Sequence, residues 1–327
     1  MTVVDALAGF ERAVSSLDTT AALAVVDDAL ATGIDPVALL TEVIGTAQRT
    51  VGEKWQRAEW SVAEEHAATA VATAATEAIA RQVRQRPITR GRVIVACAER
   101  EWHALPAMMI DCALRSDGWD TTLLGASTPA LRLSQYLQDL GPDALAVSCS
   151  MLGSLPTTRR FVEASTAAGI PILVGGPAFG PDDLRARGLG ATAWAPDAAG
   201  AIEAMRTLPA VVPAAEPLPE ASVAEQAALE LAHTELVVEL TAHWPGDRNA
   251  LDPELAADAV SQLLHAIWAA LLTGDPRSIP QTVWWIAALL EHRGAPVALT
   301  DDLRAEVTKL LRDFPLTAAL ITTSWPG

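Results

Sequence analysis

The sequence predicts a mixed fold: an N-terminal four-helix cap bundle, a flavodoxin-like doubly wound parallel α/β domain and a C-terminal all-helical domain. Residues 1–86 are rich in alanine, and their apolar side chains recur at helical spacing. From Arg92 onward, short continuous apolar runs alternate with helical segments, which is typical of parallel strands buried on both faces. A Pro-rich linker at 209–220 then leads into another helical pattern. The predicted domains are therefore 1–86, 90–208 and 221–327.

The cap is predicted from its helix-start signals. Asp35 has the character of an N-cap, and Pro36 suits the first helical position after it. Ser61 and Glu64 have the spacing of a capping box. Short connections between helices of this length indicate an antiparallel bundle. The predicted helices are 2–16, 20–31, 36–54 and 62–84.

The α/β domain is predicted from five apolar runs, at 93–96, 121–124, 144–147, 172–174 and 191–194, with a last helix at 198–207. Ligands of such folds bind beyond the carboxyl ends of the strands. Three motifs lie at those ends: Glu101-Trp102-His103, Ser148-Cys149-Ser150 and Gly175-Gly176.

The C-terminal region has five predicted helices, near 221–243, 253–273, 279–292, 301–312 and 315–323. It contains five of the ten tryptophans, which by spacing alone suit a helical core: Trp244, Trp268, Trp284, Trp285 and Trp325.

Composition excludes several classes of function. The formal charge of −17 disfavours binding to a nucleic-acid backbone. Cys97, Cys112 and Cys149 show no CxxC spacing, so neither a disulfide framework nor a zinc site is expected, and a reducing cytoplasm fits. The N-terminus has no basic targeting segment, and the apolar runs at 267–272 and 283–290 are shorter than the roughly 20 residues that span a bilayer. We expect a soluble protein that contacts no membrane.

The middle domain offers a metal ligand. A histidine after a strand can bind a metal through one ring nitrogen while the other nitrogen donates to a carboxylate, and His103 and Glu101 have the required order. Each motif also has an ordinary structural explanation, because serines cap helices and a Gly pair turns the chain.

Taken together, the three motifs resemble those of base-off, His-on cobalamin-binding domains, namely Asp-x-His-x-x-Gly, Ser-x-Leu/Thr and Gly-Gly. The resemblance implies that His103 is the lower axial ligand of cobalt and that Glu101 orients it. Two departures stand out: Glu101 replaces the usual Asp, and Pro106 occupies the position of the motif's Gly. Contacts to the displaced nucleotide tail are implied for Ser148, Ser150, Gly175 and Gly176.

In the cap, Trp55-x9-Glu65-His66 resembles the upper-ligand motif of MerR-type cobalamin photoreceptors. The resemblance implies that Trp55 lies over the upper ligand, Glu65 bonds to an adenosyl group and His66 stands near it. The structural alternative is a Trp that packs the bundle and an exposed Glu-His pair. Gln56 stands where those photoreceptors carry a cobalt-binding His, and no DNA-binding helix-turn-helix precedes the cap, so their output is not expected here.

The whole arrangement resembles the photocobilins, which pair adenosylcobalamin with biliverdin in a globin-like helical domain. Since no cysteine follows Cys149, biliverdin would bind non-covalently. Basic side chains suit its propionates, and Arg248, Arg277 and Arg293 are candidates. The other candidate pocket residues are His265, Trp268, Trp284, Trp285 and His292.

Three functions follow as hypotheses. The first is a cytoplasmic light sensor, not an enzyme, in which photolysis of adenosylcobalamin changes a homo-oligomeric interface or a contact with an unknown effector protein. The second is a corrinoid protein that carries methyl groups for separate methyltransferases. The third, a helical interaction scaffold, requires that His103 bind no metal.

Overall fold

The computed structural model describes residues 1–246 and 251–326, so the candidate Arg248 lies outside the described residues. Contacts divide the chain into two compact units. The first unit comprises Met1–Trp55, Glu59–Ala186 and Gly190–Ala215, and thus holds almost all of the cap and of the α/β region. The second comprises Gln56–Ala58, Arg187–Leu189 and the chain from Glu216 onward.

The cap helices are α1 (Val3–Ser15), α2 (Thr19–Ala31), α3 (Pro36–Ala38), α4 (Gly45–Gln56) and α5 (Val62–Val83). The predicted helix at 36–54 is continuous but contains a π-helical segment, Leu39–Ile44, between α3 and α4. The capping box is confirmed: the Ser61 hydroxyl accepts from the Glu64 N–H, and the Glu64 carboxylate accepts from the Ser61 N–H.

The sheet has five parallel strands in the order β2-β1-β3-β4-β5. The register aligns their carboxyl ends, since Cys97 pairs with Ser148, Ser148 with Gly175 and Gly175 with Ala195. The strands are β1 (Arg92–Cys97), β2 (Asp120–Gly125), β3 (Ala144–Ser148), β4 (Ile172–Gly175) and β5 (Ala193–Ala195).

The fifth strand begins later than the predicted 191–194. The Ala191 N–H donates to the Ala186 carbonyl and closes the preceding turn, so pairing with β4 starts only at Ala193. An apolar run in the sequence does not show which of its first residues form hydrogen bonds to a preceding helix turn instead of to the neighbouring strand.

The helices between and after the strands are α6 (Ala104–Ser116), α7 (Ala130–Leu140), α8 (Leu155–Ala167), α9 (Leu184–Gly188) and α10 (Ala198–Thr207). The cap does not have a separate core. Phe10 and Ile79 of the cap belong to the same buried cluster as Val93 of β1 and Leu114 of α6. Burial of apolar surface therefore fixes the cap to the α/β region within the first unit.

The second unit is helical: α11 (Glu220–Leu231), α12 (His233–His243), α13 (Pro253–Thr273), α14 (Ser278–His292), α15 (Leu299–Leu310) and α16 (Pro315–Ser324). The prediction of one helix at 221–243 is wrong. Ala232, at φ −85° and ψ 1°, separates α11 from α12, because its ψ departs from the helical value. No Gly or Pro marks this break in the sequence.

Among the described helices, α13 alone is long and apolar enough to cross a membrane by length and composition. However, 67% of its most apolar window is buried inside the protein. A core helix passes the same test, so this is weak evidence for a span.

Candidate functional site

A cavity of about 860 Å³ lies in the first unit, between the cap helices and the carboxyl edge of the sheet. Its volume falls within the usual range of small-molecule pockets. Cap residues that line it come from the π-helical segment, α4 and α5. The other lining residues come from the carboxyl ends of the strands, from the loops after them, and from α6 and α10. The cavity brings together seven of the residues predicted from the sequence: Glu65, His66, His103, Ser148, Ser150, Gly175 and Gly176.

Glu101 and His103 form the most constrained part of the site. The Glu101 side chain is fully buried, and its Oε1 accepts from His103 Nδ1 at 2.6 Å and from the His103 N–H at 2.9 Å. Its Oε2 accepts from the backbone N–H groups of Ser150 (2.5 Å) and Met151 (2.9 Å). One carboxylate thus ties the loop after β1 to the loop after β3.

The electrostatics of this pair fix the tautomer of the imidazole. The hydrogen bond to Glu101 raises the pKa of His103 against the opposing effect of burial, and the charges of Glu101 and Glu65 add to it. Burial alone would raise the pKa of the Glu101 carboxyl, but hydrogen bonds from His103 and Ser150 outweigh it and hold that pKa below its ordinary value. With Nδ1 committed to Glu101, Nε2 is the nitrogen that can bind a metal.

Ser148 and Ser150 differ in what they offer. Ser148 is fully buried at the end of β3, lines the cavity, and its hydroxyl oxygen has no hydrogen-bond partner among the described residues. Because an unpaired buried hydroxyl is costly, a ligand group is the expected partner. The Ser150 backbone N–H, in contrast, is already used by Glu101.

Gly175 and Gly176 are required by backbone packing. A Cβ on Gly175 would lie 2.7 Å from the Ala195 carbonyl oxygen, and one on Gly176 would overlap the Cys149 carbonyl oxygen. Gly176 also has a φ of 105°, a backbone conformation that residues other than glycine rarely adopt. The pair therefore does more than give a ligand room: the loop after β4 cannot form without it.

A slot extends the cavity along the sheet. Ala146, Leu173 and Ala195 line one side, and Ala198 and Ala201 of α10 line another. The alanines at four of these positions leave space that larger side chains would fill. Pro106 also lines the cavity and lies in the first turn of α6, where proline is tolerated.

The cap side of the cavity is polar. The Thr69 hydroxyl lies 3.2 Å from Glu65 Oε1 and 3.1 Å from Gln48 Oε1. His66 Nε2 lies 3.5 Å from Glu65 Oε2, and its side chain is 74% exposed. Trp55 is half-buried on the α4 face that carries Gln48, but it is not among the residues that line the cavity.

Sequence reasoning missed several lining residues of the cap, above all Gln48 and Thr69, and it gave no role to Trp102, which belongs to a predicted motif and also lines the cavity. A signal for the first two is their spacing. Gly45, Gln48 and Gly52 recur at three to four residues along α4, as do Glu65, Thr69 and Thr73 along α5. These small or polar stripes on Ala-rich helices mark faces that are not filled by core side chains.

The cavity residues fit a cobalamin. His103 offers its Nε2 in an orientation fixed by Glu101, and the slot, which is lined mostly by alanines, suits an extended nucleotide tail. The Ser148 hydroxyl has no hydrogen-bond partner among the described residues and can bond to a ligand. No group of three or more His, Cys, Asp or Glu side chains that could hold a metal ion occurs in the described part of the chain. A corrin needs none, because the ring itself supplies the equatorial ligands of its cobalt.

The bilin candidates lie in the second unit and are only partly grouped. His265 and Trp268 are in contact, with ring centroids 4.8 Å apart, and His233 stacks on His265 at 5.0 Å. Trp268 is buried, whereas Trp284 is 61% exposed. The other candidates are Trp285, which is half-buried, and His292, which is exposed.

Two candidate arginines have partners within the protein. Arg277 forms ion pairs with the fully buried Asp275, at 2.7 Å from Nε to Oδ1. Arg293 donates to the Leu289 carbonyl oxygen at 3.3 Å, and burial lowers the pKa of its guanidinium.

Comparison with known families defines the class of protein. Residues 91–206 match the family model described as a B12 binding domain, and residues 6–80 match a second model with the same description. Two B12 binding domain models thus cover most of the first unit, one over its helical part and one over its α/β part, and they support a cobalamin site there.

The relatives fall into two groups. The chain is 28% identical to the HTH-type transcriptional repressor CarH of Myxococcus xanthus over 158 residues, which is 47% of this chain and 52% of CarH. It is 24% identical to the trimethylamine corrinoid protein of Methanosarcina barkeri over 177 residues, 52% of this chain and 82% of that protein. The chain thus spans only about half the length of CarH.

A solved structure agrees with the fold. The monomethylamine corrinoid protein of Methanosarcina barkeri superposes with a TM-score of 0.56 at 18% identity, covering 62% of this chain and 97% of that one. This likeness confirms the predicted helical bundle and parallel sheet.

Proposed function

We propose that the protein is a light sensor that binds adenosylcobalamin in the cavity of the first unit. The observation that carries the proposal is the position of Glu65 and His66 across one cavity from His103. Those two cap residues are the ones whose motif resembles that of the MerR-type cobalamin photoreceptors. The similarity to CarH supports the same choice.

Each residue has a definite task in this proposal. His103 would hold the cobalt from below through Nε2, and Glu101 keeps the imidazole in the required orientation and tautomer. Ser148 and the slot beside it would accept the displaced nucleotide tail. Glu65 would accept a hydrogen bond from the adenosyl group. When bound, adenosylcobalamin supplies a cobalt–carbon bond that light can break.

The cap is the part of the protein placed to report that event. Its helices α4 and α5 line the cavity, so they make different contacts when the upper group is present and when it has left. A ligand can shift a conformational equilibrium only through such differential contacts. We propose that the shift alters an interface with a second copy or with an effector protein, and that the protein is a cytoplasmic sensor rather than an enzyme.

The proposal extends to a second pigment, biliverdin, held without a covalent bond by a globin-like second unit. The contact between His265 and Trp268, with His233 stacked beside them, supports this part because aromatic rings and imidazoles suit a conjugated tetrapyrrole. The exposed Trp284 and the half-buried Trp285 lie on α14 of the same unit.

The second candidate is a corrinoid methyl carrier. It is favoured by the similarity to the trimethylamine corrinoid protein, of which the alignment covers 82%. In a methyl carrier the polar group formed by Glu65, Thr69 and Gln48 would face a methyl group that cannot bond to it.

Absorption spectra separate the two. Protein reconstituted in darkness with adenosylcobalamin and biliverdin is compared before and after green light, and its size is measured in both states. A cobalamin spectrum that changes, together with a change in size and a separate red band, supports the sensor with two pigments. A cobalamin spectrum that does not change in light would refute the sensor proposal, and a missing red band would refute only the proposal that a bilin binds. Glu65→Gln tests the cap, and Glu77→Gln, at an exposed α5 position outside the cavity, is the matched control.

A further inference from the structure

The polar group on the cap side of the cavity contains an unsatisfied amide. Gln48 lines the cavity, its Oε1 lies 3.1 Å from the Thr69 hydroxyl, and its Nε2 is buried without a hydrogen-bond partner among the described residues. A carboxamide can turn over by half a rotation, which exchanges the two atoms. In either orientation one of them meets Thr69, and the other stays buried without a partner.

Thr69 is short of hydrogen bonds as well. In the orientation shown, its single hydroxyl proton has two acceptors in reach, Gln48 Oε1 at 3.1 Å and Glu65 Oε1 at 3.2 Å, so one of them lacks that donor. If the amide is turned over, Thr69 accepts from the amide NH2 and donates to Glu65, and the amide oxygen is then the atom without a partner. The other cavity-lining threonines differ. The hydroxyls of Thr41 and Thr73 donate to carbonyl oxygens one turn earlier in their own helices, both at 2.9 Å.

The missing partner has a definite chemistry. The Gln48 amide needs an acceptor for its NH2 group in one orientation and a donor for its oxygen in the other, and a hydroxyl can serve as either. An alkyl group does neither and would leave the buried amide unpaired. Sites built to bond a hydroxyl discriminate strongly against analogues that lack it, because the polar groups of the site are then stranded.

We propose that Gln48 and Thr69 are specificity-determining residues that select a cobalamin whose upper group carries hydroxyls and disfavour one whose upper group is alkyl. This inference rests on the proposed function, since it concerns the upper group of the same cofactor. It adds two residues to the single carboxylate, Glu65, and explains why α4 presents a glutamine beside the small residues Gly45 and Gly52.

The test is a cycle of protein and ligand changes in the full chain. Wild type, Gln48→Leu and Thr69→Val are titrated in darkness with adenosylcobalamin and with propylcobalamin, whose upper group is an alkyl chain without a hydroxyl. Gln82→Leu, an exposed α5 position outside the cavity, is the matched control. Unfolding of each protein without cobalamin shows whether the variants are folded.

Gln48→Leu is expected to weaken adenosylcobalamin binding about tenfold, as for a lost net hydrogen bond in a buried site. Its propylcobalamin affinity should stay within about twofold of wild type, as should both affinities of Gln82→Leu. Thr69→Val should weaken adenosylcobalamin in the same selective way. Equal loss for both cobalamins, or no loss, as when an ordered water satisfies Gln48, overturns the assignment.

The two proposals fail separately. If wild type is light-sensitive with adenosylcobalamin but Gln48→Leu shows no selective loss, the assignment of Gln48 and Thr69 is wrong and the sensor stands. If wild type is stable to light but the selective loss occurs, the sensor is wrong and hydroxyl selection stands.

Discussion

Replacing Glu101 by glutamine tests the part of the site on which both candidate functions depend. The change keeps the shape of the side chain and removes its charge. In the structure two donors meet each carboxylate oxygen: the side chain and backbone of His103 at Oε1, and two backbone N–H groups, those of Ser150 and Met151, at Oε2. An amide has one oxygen, so its NH2 group must face the second pair of donors.

The cost follows from that count. Each buried donor left without an acceptor costs about 1–3 kcal/mol, so two of them lower the free energy of unfolding by about 2–6 kcal/mol. Loss of the group that orients a metal-binding histidine typically weakens metal affinity about 10–100-fold. We therefore expect Glu101→Gln to lower both stability and cobalamin affinity.

Urea unfolding, followed by circular dichroism, measures the first quantity, and equilibrium dialysis with cobalamin measures the second. Glu99→Gln is the matched control. Its carboxylate lies in the same loop but accepts only a long hydrogen bond from the Ala130 N–H, at 3.4 Å, so a change within about 0.5 kcal/mol is expected. The reasoning is refuted if Glu101→Gln is as stable and binds cobalamin as tightly as Glu99→Gln.

Three further predictions concern the same cavity. Ser148→Ala removes an unpaired buried hydroxyl, so urea unfolding should show a stability that is unchanged or raised by about 1 kcal/mol. Equilibrium dialysis should show weaker cobalamin binding. A destabilised variant with full affinity would contradict this prediction. Gly176→Ala places a Cβ at a positive φ and in overlap with a carbonyl oxygen, so it should lower the free energy of unfolding by about 3 kcal/mol or more. Gly33→Ala, at φ 87° with open space around it, should lower it by about 1 kcal/mol. Equal losses of stability in urea would argue against the overlap. The pKa of Glu101 is lowered in the folded protein, so this group stabilises the fold above its unfolded pKa of 4.5, and the stability is lost as the pH falls through its folded pKa. The pKa of His103 is raised in the folded protein, so this group stabilises the fold below its unfolded pKa of 6.5, and the stability is lost as the pH rises through its folded pKa. The stability advantage of wild type over His103→Ala should therefore peak between about pH 4.5 and 6.5, and an advantage that does not vary with pH would speak against the ion pair.

Much of the site could be predicted from the sequence because parallel strands place their carboxyl ends on one edge. His103, Ser148 and Gly175 are far apart in sequence, yet the register of β1, β3 and β4 brings their loops together. The predicted order of strands and helices was sufficient for that inference. The Glu101–His103 pair is local, so its spacing alone indicated the contact.

The rest depends on packing that sequence spacing does not encode. Gln48 and Thr69 are 21 residues apart and meet only because α4 lies against α5. The resemblance that placed Trp55 over the upper ligand rests on residue spacing along the sequence of two helices. The cavity is lined by α4 residues that precede Trp55 in the chain, but not by Trp55 itself. The break at Ala232 has no Gly or Pro to mark it in the sequence, and no Gly or Pro lies within the π-helical segment Leu39–Ile44.

The role of Trp55 stays a prediction, and so do the roles of His66 and of the bilin candidates in the second unit. For the latter, periodicity could not distinguish a helical core from a pigment pocket, because both place aromatic side chains on the apolar face of a helix. The structure separates Trp268, which is buried, from Trp284, which is exposed.

The central claim is that His103 binds cobalt from below. The most direct measurement is the electron paramagnetic resonance spectrum of the protein reconstituted with the paramagnetic cobalt(II) form of cobalamin, using protein made with natural nitrogen and protein labelled with nitrogen-15. If the His103 imidazole is the axial ligand, the splitting from the axial nitrogen changes from a triplet to a doublet in the labelled protein, and His103→Ala abolishes that change. A triplet that persists in the labelled protein would mean that the cofactor keeps its own base on cobalt, and it would contradict the account.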